Sequence, residues 1–435
     1  MTNPVQPSTS ILDSKLRGRA FALALICALI MVAAQSAQAQ TYSVLHSFSG
    51  LGDGDYPYAG LSIDRGGNLY GTAFYGGPGG SCGMGCGTAF RLAQKNSGWL
   101  FSQLYGFRGV NDGGNPYARV VVGPDGSLYG TTYGGGGGSC EGGCGTVFNL
   151  RPPQHATANT LGNWTETVLY RFTGGSDGSM PAGADLTFDA AGNIYGTTTA
   201  GGTGNCQGGC GTVYKLTQSG GGWTESVLHS FITEGGDGLR PWGGVIFDQS
   251  GNLYGTTNNG GTHDIYGTVY RLTPSGSGWT ESILYNFQGA SDGKYPYSGL
   301  IFDQAGNLYG TTCCGGTTGG ATAFELLRSS NWAFSLVYSF TGSGPFASLS
   351  MDAAGDLYGT TNEGGVSNFG AVFKLTPSEN GWTYTSLYDF CPSGGPCPDG
   401  SFPLSTVVFD SEGNLYGTTS NGGMYDGGTA WKIIP

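Results

Sequence analysis

Charge is what this chain has least of: only 11% of its 435 residues are Asp, Glu, Lys or Arg, and 17 basic residues face 29 acidic ones. Holding a phosphate backbone takes clustered Lys and Arg, so nucleic acid is excluded as a partner. Histidine is scarcer still, at four residues. No His-Glu-x-x-His pair, Gly-x-Ser-x-Gly elbow or phosphate-binding glycine loop occurs, which removes the usual signatures of metalloproteases, serine hydrolases and nucleotide-dependent enzymes. Past residue 40 no stretch carries an i, i+3, i+4 apolar stripe of useful length, so a helical fold is excluded as well. Long apolar runs are also missing, and no membrane span is expected. The one candidate, Ala20 to Ala34, is short and follows Lys15, Arg17 and Arg19, while Ala37-Gln38-Ala39 has the small-x-small form of a signal-peptidase site. Residues 1–39 therefore read as a signal peptide, with Cys27 behind a bulky Ile26 and outside any lipoprotein box. Without that leader, 14 basic and 28 acidic residues leave a net charge of −14.

What the chain has instead is glycine, 85 residues of it, and a repeat. Leu/Ile-Tyr-Gly-Thr returns seven times, with tyrosines at Tyr70, Tyr129, Tyr195, Tyr254, Tyr309, Tyr358 and Tyr416, at intervals of 49 to 66 residues. Such periods belong to propeller blades with loop insertions rather than to leucine-rich or ankyrin units. Each repeat holds four short β-branched and aromatic segments separated by Gly, Asn, Asp, Ser and Pro, as in Leu300-Ile-Phe-Asp303, Asn307 to Thr312, Gly267 to Leu272 and Trp279 to Phe287. The last repeat stops at Pro435 after its third segment, and the missing fourth stands at the other end as Tyr42-Ser-Val-Leu-His-Ser-Phe48. Pairing the two removes the open edges of a linear array. The expectation is an all-β, seven-bladed β-propeller of four-stranded blades, closed by the N-terminal strand joining the C-terminal blade, as one domain over residues 40–435.

Three features recur with the repeat. Asp64, Asp189, Asp248, Asp303, Asp352 and Asp410 open the Asp-x-x-Gly-Asn/Asp turn between the first two strands, where a carboxylate accepting backbone N–H groups suits a tight hairpin. A tryptophan opens the fourth strand at Trp99, Trp164, Trp223, Trp279, Trp332 and Trp382, always eight residues before a phenylalanine; even spacing places both on one strand face, packed against the next blade. The connection to the next repeat carries Asp-Gly-x-x-Pro, with Asp53, Asp112, Asp177, Asp237, Asp292 and Asp399. A turn role is expected for this Asp ring. Calcium, which wants several convergent oxygens, is the alternative, and no other cofactor is expected. Directly after the prolines come Tyr58, Tyr117, Ala182, Trp242, Tyr297, Phe346 and Leu404. Packing between blades is the expected role of these aromatics, and a stacking platform for sugar rings at the channel mouth is the alternative.

Ten cysteines fall as near neighbours: Cys82/Cys86, Cys140/Cys144, Cys206/Cys210, Cys313/Cys314 and Cys391/Cys397. In an oxidising compartment these form local disulfides, the adjacent pair as a vicinal bridge or as free thiols; a four-thiolate zinc site would have ligands at unusual spacing. Among the histidines, His46 and His229 occupy a fourth-strand position held elsewhere by tyrosine, and His155 lies in the insertion after Arg151, which leaves His263, beside Asp264, as a candidate on the loop-rich face. Acids that break the pattern on that face are Asp55, Glu141, Glu234, Asp264, Glu363 and Asp426, and none stands out as a catalytic pair.

Units of the form L-x-x-D-x-x-G-N-L-Y-G-T-T-x-x-G-G, then G-T-V-Y-x-L, then W-T-x-x-x-L-Y-x-F make residues 42–435 resemble the GloVer tandem-repeat family of exported bacterial proteins. The blade order is also similar to a kelch blade. The resemblance implies a secreted repeat protein and supplies no activity to carry over; because this chain ends on a strand, the C-terminal anchor of some members is not expected. The function expected is a non-catalytic, monomeric binding propeller, secreted or periplasmic, that takes a glycan or an extracellular protein on its loop-rich face. The alternatives are an extracellular carbohydrate-active enzyme, lyase or glycosidase, working from the same face, and a surface-structural protein.

Overall fold

The computed structural model describes residues 40–435 apart from Leu51, Ser97, residues 154–163, Ala182, Ala184, His263, Asp264, Ser277 and Ser343. The signal-peptide assignment and His155 lie outside the described residues, within which no helix is long and apolar enough to cross a membrane. The described residues of the unit Tyr42–Ile434 form seven four-stranded antiparallel sheets, the blades of a propeller numbered here in chain order. Blade four shows the pattern: Ile246–Phe247, Leu253–Thr257, Thr268–Ser275 and Gly278–Asn286, each paired with the next. In blade seven, Val408–Phe409, Leu415–Thr419 and Thr429–Ile434 are completed by Thr41–Ser47 from the N-terminal end. Ring closure thus follows the expectation.

The innermost strands are shorter than the sequence suggests, only two residues each. Their preceding residues face the neighbouring blade instead of a ladder partner: a Cβ on Gly60 would lie 2.8 Å from the Thr406 carbonyl oxygen. The second strand, Leu-Tyr-Gly-Thr-Thr in most blades, is buried throughout. Its glycine is required because the third-strand aromatic lies across it, and a Cβ on Gly255 would sit 2.4 Å from the Tyr270 hydroxyl. The tyrosine before it ties the strand to the hairpin turn: Asp248 accepts hydrogen bonds from Tyr254 Oη at 3.1 Å, Asn252 Nδ2 at 2.8 Å and the Ser250 and Asn252 amides. Burial alone would raise the Asp248 pKa, but these four donors, Asn252 foremost, hold it below the ordinary value. The turn reading of this motif is what the structure contains.

The core lies between blades. The phenylalanine closing each fourth strand packs against a third-strand aromatic of the following blade, as Phe107 on Phe148, Phe231 on Tyr270, Phe390 on Trp431 and, across the closure, Phe48 on Phe90. The tryptophan at the other end packs on the preceding blade, as Trp99 on Tyr416, Trp332 on Tyr254 and Trp382 on Tyr309. This corrects the expectation that both face the next blade. In each of the six blades whose third and fourth strands are consecutive in the chain, one extra fourth-strand residue breaks the register, between Val269 and Tyr270 in blade four. A bulge shifts the alternation by one, so residues an even number apart end on opposite faces.

Candidate functional site

Both sets of variable loops emerge on one face. The connection between blades pairs with the loop after the second strand as Gly238–Leu239 with Asn259–Gly260, as Asp292–Lys294 with Cys314–Gly316, and through the bridges Asp55–Tyr75, Gly114–Gly134, Ser179–Ala200 and Ser401–Asn421. The Asp-Gly-x-x-Pro motif builds this rim. Its aspartates accept hydrogen bonds from a loop amide and from a fourth-strand side chain: Asp112 from Arg108 N and Tyr105 Oη, Asp177 from Thr173 N and Tyr170 Oη, Asp292 from Gln288 N and Tyr285 Oη, Asp399 from Cys391 N and Tyr388 Oη. His46 and His229 take the tyrosine's place, on Asp53 at 3.0 Å and Asp237 at 3.2 Å. The six aspartates are dispersed over six blade junctions and do not converge on one another. Their glycines lie on a buried threonine pair: Gly178 has φ +101°, and a Cβ there would be 2.3 Å from Thr198 Oγ1.

Between the glycine and the proline the backbone is strained. Tyr56, Asn115, Met180, Arg240, Tyr295 and Phe402, each directly before the proline, have φ between 52° and 58°. A left-handed non-glycine residue costs on the order of 1–3 kcal/mol and persists only where its surroundings impose it. Here two hydrogen bonds impose it. Arg240 N donates to Cys210 O of the preceding blade at 2.8 Å, and Asn258 N donates to Arg240 O at 3.1 Å. The disulfide loops supply the outer partner in three junctions, since Cys86, Cys144 and Cys210 carbonyls accept from Asn115, Met180 and Arg240. All five expected cysteine pairs are bonded, Cys82–Cys86, Cys140–Cys144, Cys206–Cys210, Cys313–Cys314 and Cys391–Cys397, the adjacent pair as a vicinal disulfide.

In six junctions that strained step precedes the proline, and the described residues after those prolines enter the central channel; Phe346 reaches it after Pro345 without such a step. Tyr58, Tyr117, Trp242, Tyr297, Phe346 and Leu404 line a cavity of about 360 Å³ at the channel mouth, where packing between blades was expected of the aromatics. They touch in sequence: Tyr58 stacks on Tyr117 at 5.2 Å, Tyr117 meets Trp242 edge-on at 5.9 Å, Trp242 meets Tyr297 at 5.5 Å, and Tyr297 meets Phe346 at 5.4 Å. Each is half-buried, with one part of the ring toward the cavity. Burial, with nearby tyrosines adding to it, pushes the Tyr58 and Tyr117 hydroxyls up to about 12, so both are neutral donors at physiological pH. The ring is pinned from behind, because second-strand threonines donate to the backbone just past it: Thr72 to Ala118 O, Thr197 to Gly243 O, Thr256 to Ser298 O and Thr418 to Ala59 O, at 2.7 to 3.0 Å.

At the floor of this mouth Arg119 Nε donates to Asp185 Oδ2 at 2.7 Å, with both side chains near 30% exposed. The same two residues also line a second cavity, of about 530 Å³, that continues down the channel along the innermost strands. Sequence reasoning missed this pair by seeking odd charges only in the loops. The signal was there: counted back from the first strand, Arg119 and Asp185 occupy the position that is glycine at Gly60, Gly244 and Gly299, although repeat three hides this by one extra residue after Pro181.

The other candidates scatter. His263, Asp264 and Ala182 lie outside the described residues. Glu363 lines a separate groove of about 330 Å³ with Tyr338 and Tyr384. Asp55 and Asp426 come close enough that, after burial, the Asp426 charge helps raise the Asp55 pKa.

No curated protein matches the chain. Among solved structures it is similar to PorZ of Porphyromonas gingivalis, at 16% identity and a TM-score of 0.50, over 88% of this chain and 47% of that one. The chain thus spans about half the length of PorZ, and the likeness is one of fold. A Thermus thermophilus protein titled a glucose dehydrogenase (16% identity, TM-score 0.43, 91% of this chain and 100% of that one) and a Bacteroides uniformis protein titled a 6-phosphogluconolactonase (15%, 0.46, 77% and 85%) are weaker matches that add nothing to it. The profile of the Gloeobacter/Verrucomicrobia repeat matches residues 32–209 and 203–431, and the chain belongs to that family.

Proposed function

We propose that this chain is an exported, non-catalytic binding propeller that takes a glycan in the mouth of its central channel. The observation that carries the reading is the run of contacting rings, Tyr58, Tyr117, Trp242, Tyr297 and Phe346, around a cavity of about 360 Å³. Sugar rings present apolar C–H faces to aromatic planes and hydroxyls to polar groups. The mouth offers both, with Arg119 and Asp185 as donor and acceptor below the rings. Five disulfides support an oxidising, extracytoplasmic location. The fold-level likeness to PorZ, titled a bacterial surface component, agrees with such a location. A carbohydrate-active enzyme is the second reading, with Asp55 and Asp426 as its carboxylates.

The test is a polysaccharide and glycan array probed with the mature chain, residues 40–435. Binding that falls about tenfold or more in Trp242→Ala and Tyr297→Ala, with melting temperature kept, supports the reading. A blank array removes it, and turnover lost in Asp55→Asn replaces it with the enzyme.

A further inference from the structure

We propose that His229, Asp237 and Glu281 form a binding site for one divalent transition-metal ion of the zinc type, where the outer strands of blades three and four meet the loop-rich rim. His229 Nε2 lies 3.2 Å from Asp237 Oδ2 and 3.8 Å from Glu281 Oε1, and the three donor atoms all fall within 4.8 Å of one another. A tetrahedral zinc ion with bonds of about 2.0–2.1 Å holds its ligand atoms about 3.3 Å apart, so only small side-chain shifts are needed. The side chains are 20%, 8% and 15% exposed, which leaves an approach from solvent and little competing water.

Two further observations bear on how the site would hold an ion. Glu281 Oε1 is buried and accepts no hydrogen bond, as is Oε1 of Glu166 and Glu225 at the equivalent positions, but of the three only Glu281 has an imidazole beside it, His229 Nε2 at 3.8 Å. Its carboxyl is hydrogen-bonded to Asp237, so an ion held here takes the place of the proton the two share. Asp237 is already fixed for the task, its Oδ2 held by the Ile232 amide at 2.9 Å and its Oδ1 by the Gly238 amide at 2.7 Å. The donor set, one imidazole and two carboxylates, is of borderline hardness and suits zinc better than calcium, which prefers six to eight oxygens.

The repeat itself provides the comparison. Every blade junction places the residue two after the tryptophan position against the fourth-strand Tyr or His of the preceding blade. Four junctions use a stacked aromatic: Tyr42 on Tyr388, Phe101 on His46, Phe334 on Tyr285 and Tyr384 on Tyr338. Glu166 and Glu225 stand beside Tyr105 and Tyr170 instead. Histidine, aspartate and glutamate coincide at the third-to-fourth junction, the only such triad among the described residues. His46 with Asp53 has the first two ligands and Phe101 in place of the third.

The experiment is a zinc titration of the chelator-stripped mature chain against a chromophoric competitor, with His229→Ala, Glu281→Phe and His46→Ala alongside. Glu281→Phe copies the arrangement already present at Phe101, and Glu281→Gln repeats the test should either ligand variant fail to fold. One ion per chain is expected, with affinity at least about tenfold weaker in both ligand variants and unchanged in His46→Ala. No zinc uptake by the parent chain, or uptake unaltered by Glu281→Phe, overturns the proposal.

Discussion

Phe48 stands edge-on to Phe90, 5.0 Å between ring centres and 61° between planes. One ring follows the N-terminal strand that completes blade seven and the other belongs to blade one, so this contact carries the packing between the closing blade and the first. Phe48→Ala leaves a buried void at that junction and is expected to cost about 3–5 kcal/mol in denaturant unfolding. A loss below about 1 kcal/mol would show that the N-terminal strand is not a clasp.

The motif glycines separate two kinds of cost. Gly178→Ala meets both a positive φ and Thr198 Oγ1 at 2.3 Å, whereas Gly192→Ala, at φ +82°, meets nothing within 4 Å. The first is expected to lose about 2 kcal/mol or more and the second about 1 kcal/mol. Equal losses would mean the threonine pair yields freely. Thermal melts of the two variants decide it.

Glu166 and Glu225 give the fold a pH dependence. Burial, then the neighbouring Asp112 and Asp177 charges, raise both to about 7. A carboxyl group whose folded pKa exceeds its unfolded one contributes its stability below the unfolded value and loses it as pH rises through the folded value. Stability is therefore expected to decline between about pH 4.5 and 8. Replacing both with Gln should flatten that decline, by about 1 kcal/mol per residue once solvent screening at these partly exposed sites is allowed for. A double variant with an unaltered slope would assign the decline elsewhere.

The Cys206–Cys210 bridge closes a loop of separation four, and the Cys210 carbonyl holds Arg240 in its left-handed conformation. Chain-entropy reasoning gives so short a loop about 2 kcal/mol. Changing both cysteines to Ser should cost that much in global stability. It should also loosen the Arg240–Trp242 segment, read as faster amide exchange at Arg240 than at Tyr295, whose amide bonds to Tyr266 O without a disulfide.

Much of this architecture is written in the chain because the repeat shows it seven times. Tyr42 to Phe48 matching the fourth segment of the other repeats made the closure legible, and the cysteine spacing made the bridges so. The directions of Trp279 and Phe287 were not legible, since a single bulge residue reverses the alternation and leaves no mark in composition. The aromatics after the prolines were visible as a set, but the aim of Trp242 and Tyr297 into the channel depends on Arg240 and Tyr295 taking a backbone conformation that their side chains disfavour. Glu281 carries no mark in the sequence, because only the fold brings it to His229 of the preceding blade.

The bulge in the outer strand has one more consequence. Because it points Trp279 backward and Phe287 forward, each of the six blades that carry the tryptophan is held by both neighbours through the same strand, while blade seven reaches back with Tyr42 on Tyr388 and forward with Phe48 on Phe90; around a closed ring no blade is terminal. A linear solenoid frays from its ends and tolerates the loss of a unit. Here deleting one blade strands the packing residues on both sides of the gap, so the seven units are expected to melt in a single transition.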